Sequence, residues 1–322
     1  MTGHVRKVVL EEHFLTPALA PYASEIERII DPEHFKFYKA RLFDFDNLRL
    51  EEMDKFGIDV SVLSVTTPGV QREPDTQIAI KRAREVNDFL AEVIRRHPTR
   101  FSGFAHLAMQ DPKWAADELE RGVRDLGLKG ALINGHTNGE YLDDPKFLPV
   151  WERAESLGVP IYLHPANAMV EPACVEGYPE LMGPAWAWGA ETASHVLRLV
   201  YGGLFDRFPK TTVIIGHMGE TLPFVLWRLD SRYRMMRHGS KPIVKLPSQY
   251  IRENIMITTS GACDFPPLLC SMMSIGSDRI MFSVDYPYES TEDSVRFMEN
   301  SPISQIDMEK ICHLNAERVL HL

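Results

Sequence analysis

Five residues able to bind a metal ion or carry a proton stand at the ends of short apolar runs. Glu11 and His13 close V-V-L-E-E-H, His164 closes I-Y-L-H, His217 closes V-I-I-G-H, and Asp285 closes I-M-F-S-V-D. Imidazole and carboxylate groups without thiolates suit a borderline or hard divalent ion, Zn²⁺ or Mn²⁺ first. Residues two apart on a strand face the same way, so Glu11 and His13 point together and Glu12 points oppositely. Glu220 falls three residues after His217, in the first turn of the next helix, where it can fix the imidazole tautomer and make the ring a usable proton carrier. Each signal has a plain structural alternative. Asp285 can cap a helix, Glu220 is favoured by the helix dipole, and Glu11 with His13 can be a hydrogen-bonded pair. No structural reason furnishes four strand ends alike.

The elements that must position these residues alternate regularly. Strands are expected at Lys7 to His13, Asp59 to Val65, Phe101 to Leu107, Lys129 to Asn134, Val159 to His164, Thr211 to His217, Ile255 to Ser260 and Arg279 to Asp285. Helical spacing of apolar residues marks Asp75 to His97, and Asp111-Pro112 and Asp144-Pro145 each read as a cap followed by a first-turn proline. Glu191 to Phe208, Glu220 to Arg234 and Ser304 to Leu320 are further helices. Eight alternations predict an α/β fold, a (β/α)8 TIM barrel forming one domain over residues 1–322. Long inserts, Phe14 to Asn47 and Pro165 to Gly189, follow strands one and five and should lie over the catalytic face.

Composition narrows the function. The net charge of -10 argues against a nucleic-acid or anionic-membrane partner, because a phosphate backbone would meet a repelling field. Neither a signal-peptide core nor a bilayer-length apolar run is visible, so a cytoplasmic protein is expected. Cys174, Cys263, Cys270 and Cys312 show no C-x-x-C spacing and read as free thiols.

Eight short motifs then carry a resemblance over nearly the whole chain: L-E-E-H-F from Leu10, G-I-D from Gly57, P-G-V-Q from Pro68, L-H-P from Leu163, G-H-M-G-E from Gly216, W-R-L-D from Trp227, T-T-S-G from Thr258 and S-V-D-Y-P-Y-E from Ser283. The chain resembles the amidohydrolase superfamily, specifically its metal-dependent aromatic acid decarboxylases. These include γ-resorcylate (2,6-dihydroxybenzoate), 2,3-dihydroxybenzoate and 5-carboxyvanillate decarboxylases, with aminocarboxymuconate semialdehyde decarboxylase a more distant relative. The resemblance implies that Glu11, His13, His164 and Asp285 hold one divalent ion and that His217 with Glu220 forms a proton-relay dyad. Members with two metals commonly use a modified lysine at the end of strand four, where this chain has Asn134, so a single ion follows. Hydrolytic members usually begin H-x-H, whereas Glu11 takes the first position here.

The expected reaction is non-oxidative decarboxylation of an ortho-hydroxylated aromatic acid, with Asp285 protonating the ring carbon before CO2 leaves. Phe14, Trp186, Trp188, Tyr286 and Tyr288 are the expected aromatic walls, and Arg228 and Asn134 the polar contacts. Arg228 can equally pair with Asp230. The stretch Asn134 to Leu142 leans towards a carboxyvanillate type and the E-x-H start towards a resorcylate type. The alternative is a metal-dependent hydrolase or hydratase acting on a lactone or related substrate, with Asp285 taking a proton from water. A non-enzymatic barrel with satisfied core histidines is the third reading. Homodimers or homotetramers are expected, with the aromatic second insert as a contact.

Overall fold

The short apolar runs form strands because both of their faces are buried. In the computed structural model, which describes residues 5–23, 30–237 and 242–322, the strands are β1 Val8–Phe14, β2 Val60–Val65, β3 Phe101–Gly103, β4 Ala105–His106, β5 Ala131–Asn134, β6 Ile161–His164, β7 Val213–Ile215, β8 Ile255–Thr258 and β9 Ile280–Met281. Residues 24–29 of the first insert lie outside the described residues, as do 1–4 and 238–241. All pairings are parallel, in the orders β1-β2-β3 and β4 to β9 in sequence.

The expected third strand is interrupted at Phe104, whose N–H donates to the Leu63 carbonyl at 2.9 Å and carries the ladder across the break. A parallel bridge between Leu10 and Ser283 joins the last strand to the first. The result is a (β/α)8 barrel. The eighth expected strand pairs with β8 only over β9, because the Phe282 N–H turns to the Ile311 carbonyl (2.8 Å) and the Ser283 N–H to Thr259 Oγ1 (3.1 Å).

Helices begin where the caps place them. Asp75 accepts from the N–H groups of Gln77 and Ile78 ahead of Thr76–Arg96, and Asp111 accepts from Trp114 N–H ahead of Pro112–Arg124. Asp144 instead opens a 3₁₀ turn, Pro145–Phe147, before the helix Leu148–Leu157. Gly202 and Gly203 divide one expected helix into Ala187–Tyr201 and Leu204–Arg207. The helix expected from Glu220 starts at Leu222 and runs to Met235, after a separate turn over His217–Glu220. The last expected helix holds a π turn, Lys310–Leu314, between Gln305–Glu309 and Asn315–Leu320. No helix among the described residues is long and apolar enough to cross a membrane.

Alternation divides the strand residues between two cores. Val8, Leu10, Val60, Val62, Phe104, Leu132, Tyr162, Ile214, Met256 and Met281 fill the barrel, and Ala316 and Leu320 pack against them. Val9, Leu63, Ile133, Leu163, Ile215 and Ile257 pack with the helices. With Val8 and Leu10 inside, strict alternation would turn Glu12 inward. A register shift between Val9 and Glu12, with Glu11 at φ 63°, changes the phase and brings Glu11 and His13 inward instead. The pairing of Glu11 with His13 agrees with the sequence reading. The bulge that produces it has no sequence signal.

Glu12 faces the helical layer and accepts from Val284 N–H at 3.1 Å. Near it lies Arg49, 1% exposed, whose guanidinium donates to the His13 carbonyl, reaches the Asp44 carbonyl at 3.3 Å and stacks 4.3 Å above the Tyr286 ring. His13 N–H in turn donates to the Tyr286 carbonyl at 2.7 Å. One buried cation therefore holds the mouth ends of the first and last strands together. Replacing Arg49 with Met leaves those carbonyls and the Glu12 carboxylate without it, and urea unfolding is expected to show a loss of about 3 kcal/mol or more. A change below about 0.5 kcal/mol, the usual range for surface substitutions, would contradict this role.

Candidate active site

His164, two residues after the barrel-filling Tyr162, continues the inward-facing register at the mouth of β6. The same mouth receives Glu11 and His13 from the bulged end of β1. Ligand atoms of Glu11, His13 and His164 all lie within 4.8 Å of one another, and all three residues are buried. Asp285 joins them from beyond β9, with Oδ1 3.2 Å from His13 Nε2. His217 follows β7, with Nε2 3.5 Å from Asp285 Oδ2 and 3.7 Å from Glu11 Oε1. Its Nδ1–H donates to Glu220 Oε1 at 2.7 Å, the pairing expected from their spacing. Gly216 makes room for this packing, because a Cβ there would stand 2.6 Å from Glu11 Oε2.

The two oxygens of Glu11 have different surroundings. Oε2 accepts from the hydroxyls of Tyr162 (2.5 Å), Ser260 and Thr258 (3.3 Å). Oε1 has no hydrogen-bond partner among the described residues, and neither has His13 Nε2. His164 Nδ1 is 2.9 Å from the Pro165 carbonyl, which places the ring proton there and leaves the Nε2 lone pair free. Burying such acceptors without a donor is costly. A divalent cation held by Glu11, His13 and His164 would satisfy these acceptors at once. The residues present therefore fit a metal ion, and the absence of thiolates suits Mn²⁺ or Zn²⁺.

Ionisation follows the same logic. Burial, reinforced by the neighbouring His13, holds His164 well below the ordinary imidazole range, keeping it neutral as a ligand must be. Burial pushes the Glu11 carboxyl up, against the pull of His217. For Asp285 burial also acts upward, but the neighbouring imidazoles of His13 and His217 outweigh it and keep the carboxyl below its usual range. Burial is the largest influence on His217 and opposes its charge, yet Glu11, Glu220 and Asp285 together raise it well above an ordinary imidazole.

A cavity of about 340 Å³ opens onto these groups, with His164, His217, Asp285, Trp188 and Tyr288 in its wall. Both inserts cover it, the first through Ile30, His34 and Tyr38 and the second through Pro184 and Trp188. Trp188 is set by its Nε1–H, which donates to Asn167 Oδ1 at 2.6 Å, and its ring centroid lies 6.3 Å from that of His164. The Tyr288 hydroxyl is 2.7 Å from Thr66 Oγ1.

Other expected contacts stand elsewhere. Phe14 follows His13 on the strand and so faces outward, fully buried against Phe45. Tyr286 follows Asp285 and lies beneath Arg49. Asn134 is fully buried, its side-chain amide 3.5 Å from the Val65 carbonyl. Trp186 is 57% exposed, and Arg228 is exposed on the outer helix Leu222–Met235; neither lines the cavity. Sequence reasoning on single residues passed over Tyr162, Thr258 and Ser260, although Tyr162 stands one alternation before His164 and Thr258 one before Ser260. It also passed over Tyr38 and Glu289, which line the cavity without a strand-end signal.

The sequence profile of the amidohydrolase family matches residues 30–322. The γ-resorcylate decarboxylase of Polaromonas sp. (strain JS666) is 40% identical over 98% of both chains. A crystal structure of 2,6-dihydroxybenzoate decarboxylase complexed with 2,6-dihydroxybenzoate superposes with a TM-score of 0.93 at 40% identity, over 98% of this chain and 99% of that one. The 5-carboxyvanillate decarboxylase of Novosphingobium aromaticivorans, complexed with manganese and 4-hydroxy-3-methoxy-5-nitrobenzoic acid, gives 0.90 at 34% identity over 100% of both chains. The chain belongs to the amidohydrolase family.

The hydroxyls on Glu11 Oε2 orient the carboxylate whose other oxygen would meet a cation. Ser260→Ala is expected to leave the fold intact by circular dichroism and to weaken Mn²⁺ binding about 10- to 100-fold in calorimetric titration of metal-free protein. Unchanged affinity would separate those hydroxyls from the metal site.

Proposed function

We propose that this amidohydrolase-family chain is a metal-dependent, non-oxidative decarboxylase of an ortho-hydroxylated aromatic acid, of the 2,6-dihydroxybenzoate type. The observation that carries the reading is the juxtaposition of two unpartnered buried acceptors, Glu11 Oε1 and His13 Nε2, with the linked series Asp285, His217 and Glu220, of which Asp285 and His217 line an aromatic-walled cavity. Tyr288 and Trp188 in the cavity wall suit the flat ring of a benzoate.

Glu11, His13, His164 and Asp285 would hold a single ion, Mn²⁺ or Zn²⁺. When bound, the ion supplies Lewis acidity that favours an ionised ortho hydroxyl and anchors the substrate carboxylate. The remaining work falls to the side chains. Asp285, held below its usual range by His13 and His217, is a carboxylate at rest and can accept the proton that the phenol gives up. It then delivers that proton to the ring carbon bearing the carboxylate. The bond from that carbon to the carboxylate breaks, its electron pair restores the aromatic ring, and CO2 leaves. The product phenolate takes its proton from water, the hydroxide left behind adds to the released CO2 as bicarbonate, and Asp285 is again ionised. His217, fixed by Glu220 and 3.5 Å from Asp285, steadies the negative charge on that carboxylate between the two transfers.

The two motifs that pulled apart in sequence can be weighed. No residue of the stretch 134–142 lines the cavity, so its carboxyvanillate-like spelling says nothing about the ring bound there. The relative named for γ-resorcylate is more similar, at 40% against 34%, and favours that substrate type. A homo-oligomer is also proposed. Phe224, Trp227 and Met235, 82%, 75% and 70% exposed, stand on one helix as an apolar area that a second chain would cover.

Purified protein loaded with Mn²⁺ is expected to release CO2 from 2,6-dihydroxybenzoate in a mass-spectrometric product assay and to stop when a chelator is added. Asp285→Asn is expected to retain metal and lose turnover by roughly 10²- to 10⁴-fold. Hydrolysis of a simple lactone with every hydroxybenzoate untouched would overturn the reading in favour of water activation.

A further inference from the structure

Glu289 has no part in the chemistry above, yet it belongs to the same cavity wall as His217, Asp285 and Tyr288. Its placement can be fixed from Gly261, which has φ +60°. A Cβ on that glycine would stand 3.2 Å from His217 Cδ2, 3.7 Å from Glu289 Oε1 and 3.8 Å from Asp285 Oδ2. The Glu289 carboxylate is therefore a neighbour of the reacting groups. It makes no hydrogen bond or ion pair with any described residue. The same residue, with Tyr38 and Tyr288, also borders the adjoining cavity of about 550 Å³, so it stands on the partition between the two.

An ionised carboxylate can only accept hydrogen bonds. At the edge of a cavity holding an anionic ring it repels a second carboxylate or nitro group and attracts an O–H or N–H. We propose that Glu289 is a specificity-determining residue that accepts a hydrogen bond from a second hydroxyl of the substrate, on the ring edge away from the chelating oxygen, and so selects dihydroxybenzoates over monohydroxybenzoates. This rests on the decarboxylase reading of the preceding subsection. The helix Thr291–Glu299, capped by Ser290, offers Glu289 a competing role as a favourable charge near a helix N-terminus. That role involves stability alone and no discrimination between ligands.

Two non-reacting probes separate the possibilities. In 2-nitroresorcinol and 2-nitrophenol the nitro group stands in for the carboxylate, and only the first has a second hydroxyl. By calorimetry on Mn²⁺-loaded protein, the native chain should bind 2-nitroresorcinol about 10- to 100-fold more tightly, the range of a hydrogen bond to a charged group. Glu289→Leu should abolish most of that preference by weakening 2-nitroresorcinol without weakening 2-nitrophenol, and Glu289→Gln, which keeps an acceptor, should retain part of it. The ratio of kcat/KM for 2,6-dihydroxybenzoate over salicylate should move in parallel. A preference that survives in Glu289→Leu, an equal weakening of both probes, or no preference in the native chain would each overturn the proposal. If the native protein released CO2 from neither benzoate, the proposed reaction would fall, while the binding ratios would still decide the role of Glu289.

Discussion

The structure depends on one buried carboxylate. Glu11 is fully inaccessible at the mouth of the barrel, where an ionised group costs several kcal/mol unless it is paired or hydrogen-bonded. Its surroundings offset that cost on two sides. Tyr162, Ser260 and Thr258 direct hydroxyls at Oε2, while Oε1 faces the imidazoles of His164 and His217 at 3.4 and 3.7 Å. A cation at Oε1 would complete the arrangement, and the barrel supplies the other strand ends around it.

Bringing that many groups to one point distorts the backbone. Glu11, His217, Met218, Glu220, Thr221 and Asp285 all have positive φ although none is glycine, a conformation costing of order 1–3 kcal/mol per residue. These positions are gathered at the three strand ends that converge on the site. Arg49 helps to hold the distorted ends in place, joining the His13 carbonyl to the ring of Tyr286. Gly216 matters for the opposite reason, since any side chain there would occupy the space of the Glu11 carboxylate.

Much of this was legible in the sequence because alternation is a local signal. The runs ending in His164 and His217 were readable as strands, their final residues as mouth residues, and His217 with Glu220 as a pair. The bulge at Glu11 was not, since it arises from the register between β1 and β2 and not from any residue in β1 alone. Cavity contacts were the least legible. Phe14 and Tyr286 adjoin site residues in sequence, and adjacency on an extended chain turns them to the opposite face. Tyr38 and Glu289 come from connecting segments whose placement depends on how those segments pack over the mouth. Local composition gives no direct reading of that packing.

The most direct test is to titrate metal-free protein with Mn²⁺ while following CO2 release from 2,6-dihydroxybenzoate. Turnover should be absent without metal, rise in proportion to added ion and level off at one ion per chain, because Glu11, His13 and His164 form the one metal-capable cluster among the described residues. Turnover in the rigorously metal-free protein, or a plateau reached only at two ions per chain, would contradict the account.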